Sequence, residues 1–406
     1  MSDPDSQQGE LKRLSVLIAA SGVDMIGFAI VLPLLPFYAL ELRATPLMVG
    51  LLISAFSVAQ LVFAPVWGRV SDRYGRRPAL LIGLSSAAVA YVVFAFADSL
   101  WLLFVSRLVQ GAGGGTTGVA QAYVADTVAP RGRARALGWL SAATAVGIMV
   151  GPVLGSFASR WGQSAPGLLA AGLCLLNIGF AWRWLPESRV RDPGATGALR
   201  NPILQATIAV ISRPSSPVPR LIWIYAAGML GFTAMTAALT LYLQADFGVT
   251  TATIGYVFLY MGALSLIMRS LLLGPIISRL GERGTMRSGT VLLTLGLLLF
   301  PLPAAIWSLA LVLALIPIGT ALLFPATTSL ISQATPRADL GMTMGVAQTF
   351  AGLSRVIAPL VATWAFGALS HGAPFVVAGA IVAGVGVLAF QSAEPPAAES
   401  TLKATT

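Results

Sequence analysis

The chain has 406 residues, 56% of them hydrophobic and only 10% charged, which is too few polar side chains to cover a soluble globule of this size. A soluble fold is thereby excluded, and the chain is read as embedded in lipid. Its net charge of +10 does not point to nucleic acid, because the basic residues are scattered over short loops between apolar runs, as the positive-inside bias requires.

Apolar runs long enough to cross about 30 Å of hydrocarbon recur along the whole chain. The predicted spans are 14–38, 48–68, 79–97, 100–125, 137–158, 166–185, 221–244, 253–277, 288–303, 308–331, 342–366 and 374–391. The ninth is cut short by Pro301 and Pro303. The first run follows Asp3, Asp5 and Glu10 and lacks a small-residue cleavage site, so it reads as a retained span rather than a signal peptide. With this topology the 25 Lys and Arg divide into 20 in cytoplasmic segments, 2 outside (Arg43, Arg160) and 3 within spans (Arg107, Arg269, Arg355). That asymmetry places both termini in the cytoplasm.

Four segments are expected: a first six-helix bundle over 1–185, a cytoplasmic central loop over 186–220, a second bundle over 221–391 and a cytoplasmic tail over 392–406. Inside the central loop, Asn201 to Arg213 reads as one short interfacial helix. The tail is rich in Pro, Ala, Glu and Thr and reads as disordered. Cys174, the single cysteine, lies in an apolar run and has no intramolecular disulfide partner.

Three pairs of landmarks mark a duplication. Gly68-Arg69-Val70-Ser71-Asp72-Arg73-Tyr74-Gly75-Arg76-Arg77 is repeated 206 residues later as Gly274-Pro275-Ile276-Ile277-Ser278-Arg279-Leu280-Gly281-Glu282-Arg283, with Ser278 in place of Asp72. Pro130-Arg131 matches Pro336-Arg337, and Pro152 matches Pro359. Six spans per half is an even number, so the halves enter the membrane in the same sense. They are related by a pseudo-two-fold axis along the membrane normal.

Asp24 is the only carboxylate inside a predicted span, ten residues or about 15 Å beyond Leu14 and so near the bilayer midplane. A low-dielectric setting disfavours a carboxylate's charge, so a residue there can take up and release a proton as its exposure changes. Asp24 is the candidate for proton coupling; the competing reading is a permanent ion pair, with Arg355 as a candidate partner or as an anion-site residue. In the loop after the second span, Gly68, Asp72, Arg73, Arg76 and Arg77, joined by Asp126 from the end of the fourth span, form a candidate latch. Its charge pairs would hold one conformation and break in the other, with Gly68 permitting close helix approach. Arg107 and Gln110, in Arg107-Leu108-Val109-Gln110-Gly111, stand on the fourth span and continue into Gly113-Gly114-Gly115; a midspan arginine faces protein or water. Gly147, Gly151 and Gly155, with Pro152, leave one face of the fifth span bare for another helix.

These motifs resemble those of the major facilitator superfamily. The Asp72 loop looks like its signature, the Arg107 stretch is similar to its Arg-x-x-Gln-Gly motif, and the twelve-span layout covers nearly the whole chain. The fifth-span glycines resemble the motif of the proton-coupled drug antiporters, except that Ser156 stands where a final glycine is usual. Asp24-Met25-Ile26-Gly27, Pro33-Leu34-Leu35-Pro36 and Ala122-Tyr123-Val124-Ala125-Asp126 look like segments of tetracycline and multidrug exporters. By position, Asp24, Asp72, Arg73, Arg107, Asp126 and Pro152 match motif residues. The second half lacks the span carboxylate that some tetracycline exporters use, which argues against tetracycline as the specific substrate.

The resemblance implies an all-α membrane protein, two six-helix bundles rocking about a central site. The expected function is a bacterial-type inner-membrane transporter that exports lipophilic or cationic compounds in exchange for protons. Alternatives are a metabolite or sugar exporter or a symporter on the same scaffold, and, from another class, a non-transporting receptor or scaffold. Phe28, Gln60, Phe232, Met235, Phe324 and Gln348 are candidates to line the cavity. Arg269 is expected to snorkel or to join the latch, and His371, the single histidine, to be inert in an outside loop. No nucleotide-binding loop is present, and one histidine with one cysteine is too few for a metal centre. The chain is therefore expected to be no enzyme, to need no cofactor, to bind no nucleotide or nucleic acid and to work as a monomer. A proton moving down 100 mV supplies about 2.3 kcal/mol.

Overall fold

The computed structural model describes residues 4–128, 130–188, 202–214, 216–336 and 339–391. The tail beyond 391 and most of the 186–201 stretch lie outside the described residues, as does Arg337 of the repeated Pro-Arg pair. Among the described residues the secondary structure is helical throughout.

The first span is α1 (Pro4–Val31) followed by α2 (Leu35–Glu41). The pause between them surrounds Pro33, which brings no backbone N–H to a helical ladder. The carbonyl freed there accepts a hydrogen bond from Thr240 Oγ of the second half, at 3.4 Å. The second span, α3 (Pro46–Tyr74), starts on Thr45, whose hydroxyl accepts from the Met48 N–H, and stops at Gly75 with φ +108°. An L side chain rarely adopts that φ, and a Cβ there would also run into a Glu187 carboxylate oxygen. The third span is α4 (Arg76–Ala95), and the fourth is broken into α5 (Leu100–Gly113) and α6 (Thr116–Thr127). Then come α7 (Pro130–Ala158) and α8 (Ala165–Trp184).

The short helix expected in the central loop is α9 (Pro202–Ser212). It is held against the second half: Val210 is buried with Ile222 and Phe350, and Trp223 Nε1 donates to the Val210 carbonyl at 3.2 Å. The second half continues with α10 (Pro217–Phe247), α11 (Ile254–Ile267), a π-helical turn over Met268–Leu272, and α12 (Leu273–Leu299). It ends with α13 (Ile306–Ala334), α14 (Leu340–Ala368) and α15 (Ala373–Phe390).

Among the described residues ten segments are long and apolar enough to cross a membrane, one of them the 46-residue stretch Ile254–Leu299. That stretch turns at Gly281, φ +68°, and so supplies the eighth and ninth spans. The fourth span escapes a length criterion because its two pieces are each short. The crossings are therefore the twelve expected. Gly75 and Gly281, both at positive φ in the repeated loop, are 206 residues apart in the sequence, so the duplication extends to backbone geometry.

Helices α1 to α8 pack chiefly among themselves, as do α10 to α15; the halves touch where α3 meets α14, α7 meets α11 and α10 meets α2. These meetings sit toward one end. Ser54 Oγ donates to the Val356 carbonyl at 2.8 Å, and the Gly255 N–H donates to Ser156 Oγ at 2.8 Å. A Cβ on Gly50 would fall 2.8 Å from the Pro359 carbonyl oxygen. At the other end, Val62, Phe63 and Val66 of α3 are exposed, and Gly68, Gly274, Gly341 and Gly345 have no neighbour within 4 Å of a built Cβ. The molecule is closed at the end carrying Glu41 and open at the end carrying the Asp72 loop.

Candidate functional site

Asp24 stands on α1, half-buried, and its carboxylate accepts a hydrogen bond from Thr116 Oγ at 3.0 Å. Thr116 reaches it because the fourth span breaks at Gly114 and Gly115, making Thr116 the first residue of α6. A broken helix leaves backbone groups unpaired, and inside a membrane they need other partners. Here α3 provides them: Gln60 Nε2 donates to the Gly114 carbonyl at 3.0 Å, and Trp67 Nε1 donates to the Ala112 carbonyl. Trp67→Phe, which leaves that carbonyl without its donor, is expected to destabilise the purified protein by about 1–2 kcal/mol. A drop in thermal midpoint in detergent checks it; an unchanged midpoint would contradict the account of the break.

Asp24 faces a pocket lined by Ser21, Met25, Leu84, Thr116, Leu140 and Thr144, among others. All its walls come from the first half, so Asp24 looks into that bundle rather than across the opening between the halves. Asn177 Nδ2 donates to the Ala20 carbonyl, one turn before Asp24, at 2.8 Å. One turn after it, a Cβ on Gly27 would sit 3.5 Å from the Tyr91 hydroxyl oxygen. That hydroxyl accepts from Gln110 Nε2 at 2.8 Å. Arg107 is buried, with its guanidinium 5.4 Å from the centre of the Phe94 ring and its Nη2 without a hydrogen-bond partner. The first half thus gathers Asp24, Thr116, Tyr91, Gln110 and Arg107 into one polar interior. Arg355 is not part of it, and no arginine forms an ion pair with Asp24 among the described residues.

The level of Asp24 along α1 is set by the glycine face of α7. A Cβ at Gly147 would lie 2.6 Å from the Gly22 carbonyl oxygen, at Gly151 2.7 Å from that of Ile26, and at Gly155 2.6 Å from that of Ile30. The two backbones touch. Pro152 is buried beside them, and Ser156, the departure from the family pattern, is the residue that binds Gly255 of the other half.

In the loop cluster the central cation is Arg76. Its guanidinium bridges Asp72 and Asp126, each at 2.8 Å, and donates to Ser71 Oγ at 2.9 Å. Glu187 caps α4, accepting from the backbone N–H groups of Arg76 at 2.8 Å and Arg77 at 3.1 Å; a carboxylate is favoured at that helix end. Arg77 donates to the Trp182 carbonyl. Arg73, by contrast, is exposed and lies over its neighbour Tyr74 at 5.5 Å. Gly68 touches no other helix. The cluster therefore ties α3, α4, α6 and the end of α8 together within one half, and in this conformation Arg73 and Gly68 have no part in it.

Of the cavity candidates, Met235 falls elsewhere, fully buried in the main core. Gln60 is committed to the helix break. Phe232 packs half-buried against that core. Phe28 lies against Phe56 at 5.2 Å, Phe324 is half-buried against Tyr225, and Gln348 is exposed on α14. His371 has partners: its Nδ1 lies 2.6 Å from the Asp246 carboxylate, and its ring stacks on Phe366 at 4.6 Å. Arg269 is exposed on the π-helical turn, within electrostatic reach of Tyr225, and forms no ion pair with the Asp72 cluster among the described residues. The sequence reading missed Thr116, Tyr91, Asn177 and Glu187. The triple glycine within a span was the available signal for Thr116; the others carry none.

The Major Facilitator Superfamily pattern matches residues 17–306 and 221–405. The chain is 32% identical over 374 residues to the class G tetracycline resistance protein of Vibrio anguillarum, covering 86% of this chain and 89% of that one. It is 25% identical over 382 residues to multidrug resistance protein 2 of Bacillus subtilis (strain 168), covering 92% and 93%. The fold matches that of the human organic anion transporter MFSD10 (TETRAN), with a TM-score of 0.71 at 23% identity over 96% of this chain and all of that one. It also matches the nucleoside transporter NupG, with a TM-score of 0.70 at 15% identity over 93% and 97%. Sequence and fold agree, and the chain belongs to the major facilitator superfamily.

Proposed function

We propose that this protein is a proton-coupled secondary transporter of a cell inner membrane that exports lipophilic, drug-like compounds by alternating access. The observation that carries the reading is Asp24: a single carboxylate at membrane depth, held only by the Thr116 hydroxyl and turned into the polar interior of the first half. An acid without a permanent counter-ion is one whose protonation can follow the side to which its pocket opens. Tyr91, Gln110 and Arg107 continue that polar interior away from Asp24 and are the residues through which a proton would leave or be sensed.

The relatives' names, a tetracycline resistance protein and a multidrug resistance protein, favour export of a drug-like compound. With both termini in the cytoplasm, the open end faces the cytoplasm, where an exporter collects its cargo. Arg76 and its carboxylates then hold the cytoplasmic ends of the first bundle as a unit while the halves rock.

In inverted membrane vesicles energised by a pH gradient, a panel of lipophilic dyes and tetracyclines should include compounds that accumulate. A protonophore should abolish that accumulation at constant ATP. Accumulation that survives the protonophore and follows ATP would contradict the assignment.

A further inference from the structure

Two arginines stand in the membrane portion of the second half, and neither has a carboxylate. Arg355 lies fifteen residues into α14 and Arg269 fifteen residues beyond the start of α11, each about 22 Å from the start of its helix. Arg355 is half-buried and Arg269 exposed at this depth, and neither forms an ion pair among the described residues. Among the described residues of this half, the carboxylates are Asp246, Glu282 and Asp339, all at or next to helix ends. Asp246 is taken by His371, and Glu282 by Ser329 and Gln333, each at 2.7 Å. Asp24 is turned into the other half.

Tyr225 is within electrostatic reach of both arginines. Ser354, the residue before Arg355, donates to the Ala226 carbonyl at 3.0 Å, which fixes α14 on α10 with Arg355 beside Tyr225. Arg355 Nε is buried without a hydrogen-bond partner. Arg269 lies on the π-helical turn, within electrostatic reach of the same residue; such turns are frequent at functional sites. The Tyr225 ring meets Phe324 edge-on, with centres 5.4 Å apart. The half therefore offers two guanidinium forks, a hydroxyl and an aromatic edge, with no anion of its own to balance them. The buried Arg355 Nε lacks a partner, and a ligand bringing negative charge would satisfy it while pairing with the Arg269 charge.

We propose that Arg269, Arg355 and Tyr225 form an anion-binding site in the second half, and that the cargo carries a carboxylate or a similarly delocalised anion joined to an aromatic ring. The inference rests on the transport reading, since it names the class of compound carried. It replaces the cationic cargo expected from sequence. The division of labour is then one charge chemistry per half: the proton on Asp24 in the first, the anionic cargo on the arginines in the second.

The test uses three probes with one ring system, 2-naphthoate, 2-naphthamide and 2-naphthylmethylammonium, titrated calorimetrically into the full-length protein in detergent. The native protein should bind the carboxylate about tenfold more tightly than the amide or the ammonium. Arg355→Gln and Arg269→Gln should each weaken naphthoate by about tenfold and leave the amide unchanged, with thermal unfolding showing that both variants are folded. Ammonium binding as tight as naphthoate binding, or no saturable naphthoate binding to the native protein, would overturn the site without needing any variant. Unchanged naphthoate affinity in folded Arg355→Gln would do the same. Failure of proton coupling reads differently: naphthoate would still bind selectively, but its movement in vesicles would not respond to a pH gradient.

Discussion

Leucine in place of Gly151 is expected to leave almost no folded protein in the membrane. Even the first carbon of a side chain there would sit 2.6 Å from Ala29 Cβ and 2.7 Å from the Ile26 carbonyl oxygen, and backbone cannot move aside as a side-chain tip can. Overpacking a core costs about 1–3 kcal/mol where side chains can rearrange; here α1 and α7 must separate along their length. Gly151→Ala is the informative milder change. It should lower the thermal midpoint and also weaken proton coupling, because the stretch of α1 that α7 grips, from Gly22 to Ile30, contains Asp24. Size-exclusion profiles and unfolding midpoints of the two variants check this. A well-folded Gly151→Leu protein would show that the two helices are not in contact.

That the glycines would face a helix was legible, because i, i+4, i+8 spacing lines one side whatever the partner. That the partner is α1, and so that the motif sets the level of Asp24, was not, since spacing says nothing of which helix crosses. The twelve spans and the repeat could be read because hydrophobic length and turn chemistry are local: Gly75 and Gly281 mark their turns in any tertiary setting. The charge cluster of the Asp72 loop was legible as a group of residue types. Which arginine sits at its centre depends on the direction in which α4 leaves Gly75, and this puts Arg76 rather than Arg73 between Asp72 and Asp126. Met235 went wrong for a related reason, and Gln60 serves the helix break. A polar or flexible side chain in a span suits a cavity, but it suits a broken helix or a tight core equally well.

Asp24→Asn is expected to uncouple transport while leaving the protein folded. The amide has nearly the same shape and still accepts from Thr116 Oγ, so the contact at 3.0 Å can survive; what disappears is the exchangeable proton. Proton-driven cargo accumulation should fall by about a hundredfold or more, consistent with the functional weight of an ionisable group at membrane depth. Exchange of cargo for cargo across the same membrane, which needs no proton, should stay within about threefold of native. The contrast between the two assays separates a coupling residue from a merely structural one, because damage to the fold would reduce both. Equal loss in both assays would assign Asp24 to the architecture of the first half.

The most direct test of proton coupling through Asp24 is proton movement itself. Protein reconstituted into liposomes holding a trapped pH-sensitive dye, without an imposed gradient, is supplied on one side with a compound it accumulates in vesicles. The native protein should move protons against the cargo, with a rate that follows cargo concentration and saturates, and Asp24→Asn should move cargo down its gradient with no pH change. Cargo transport by the native protein without any proton movement, or undiminished proton movement by the variant, would contradict the account.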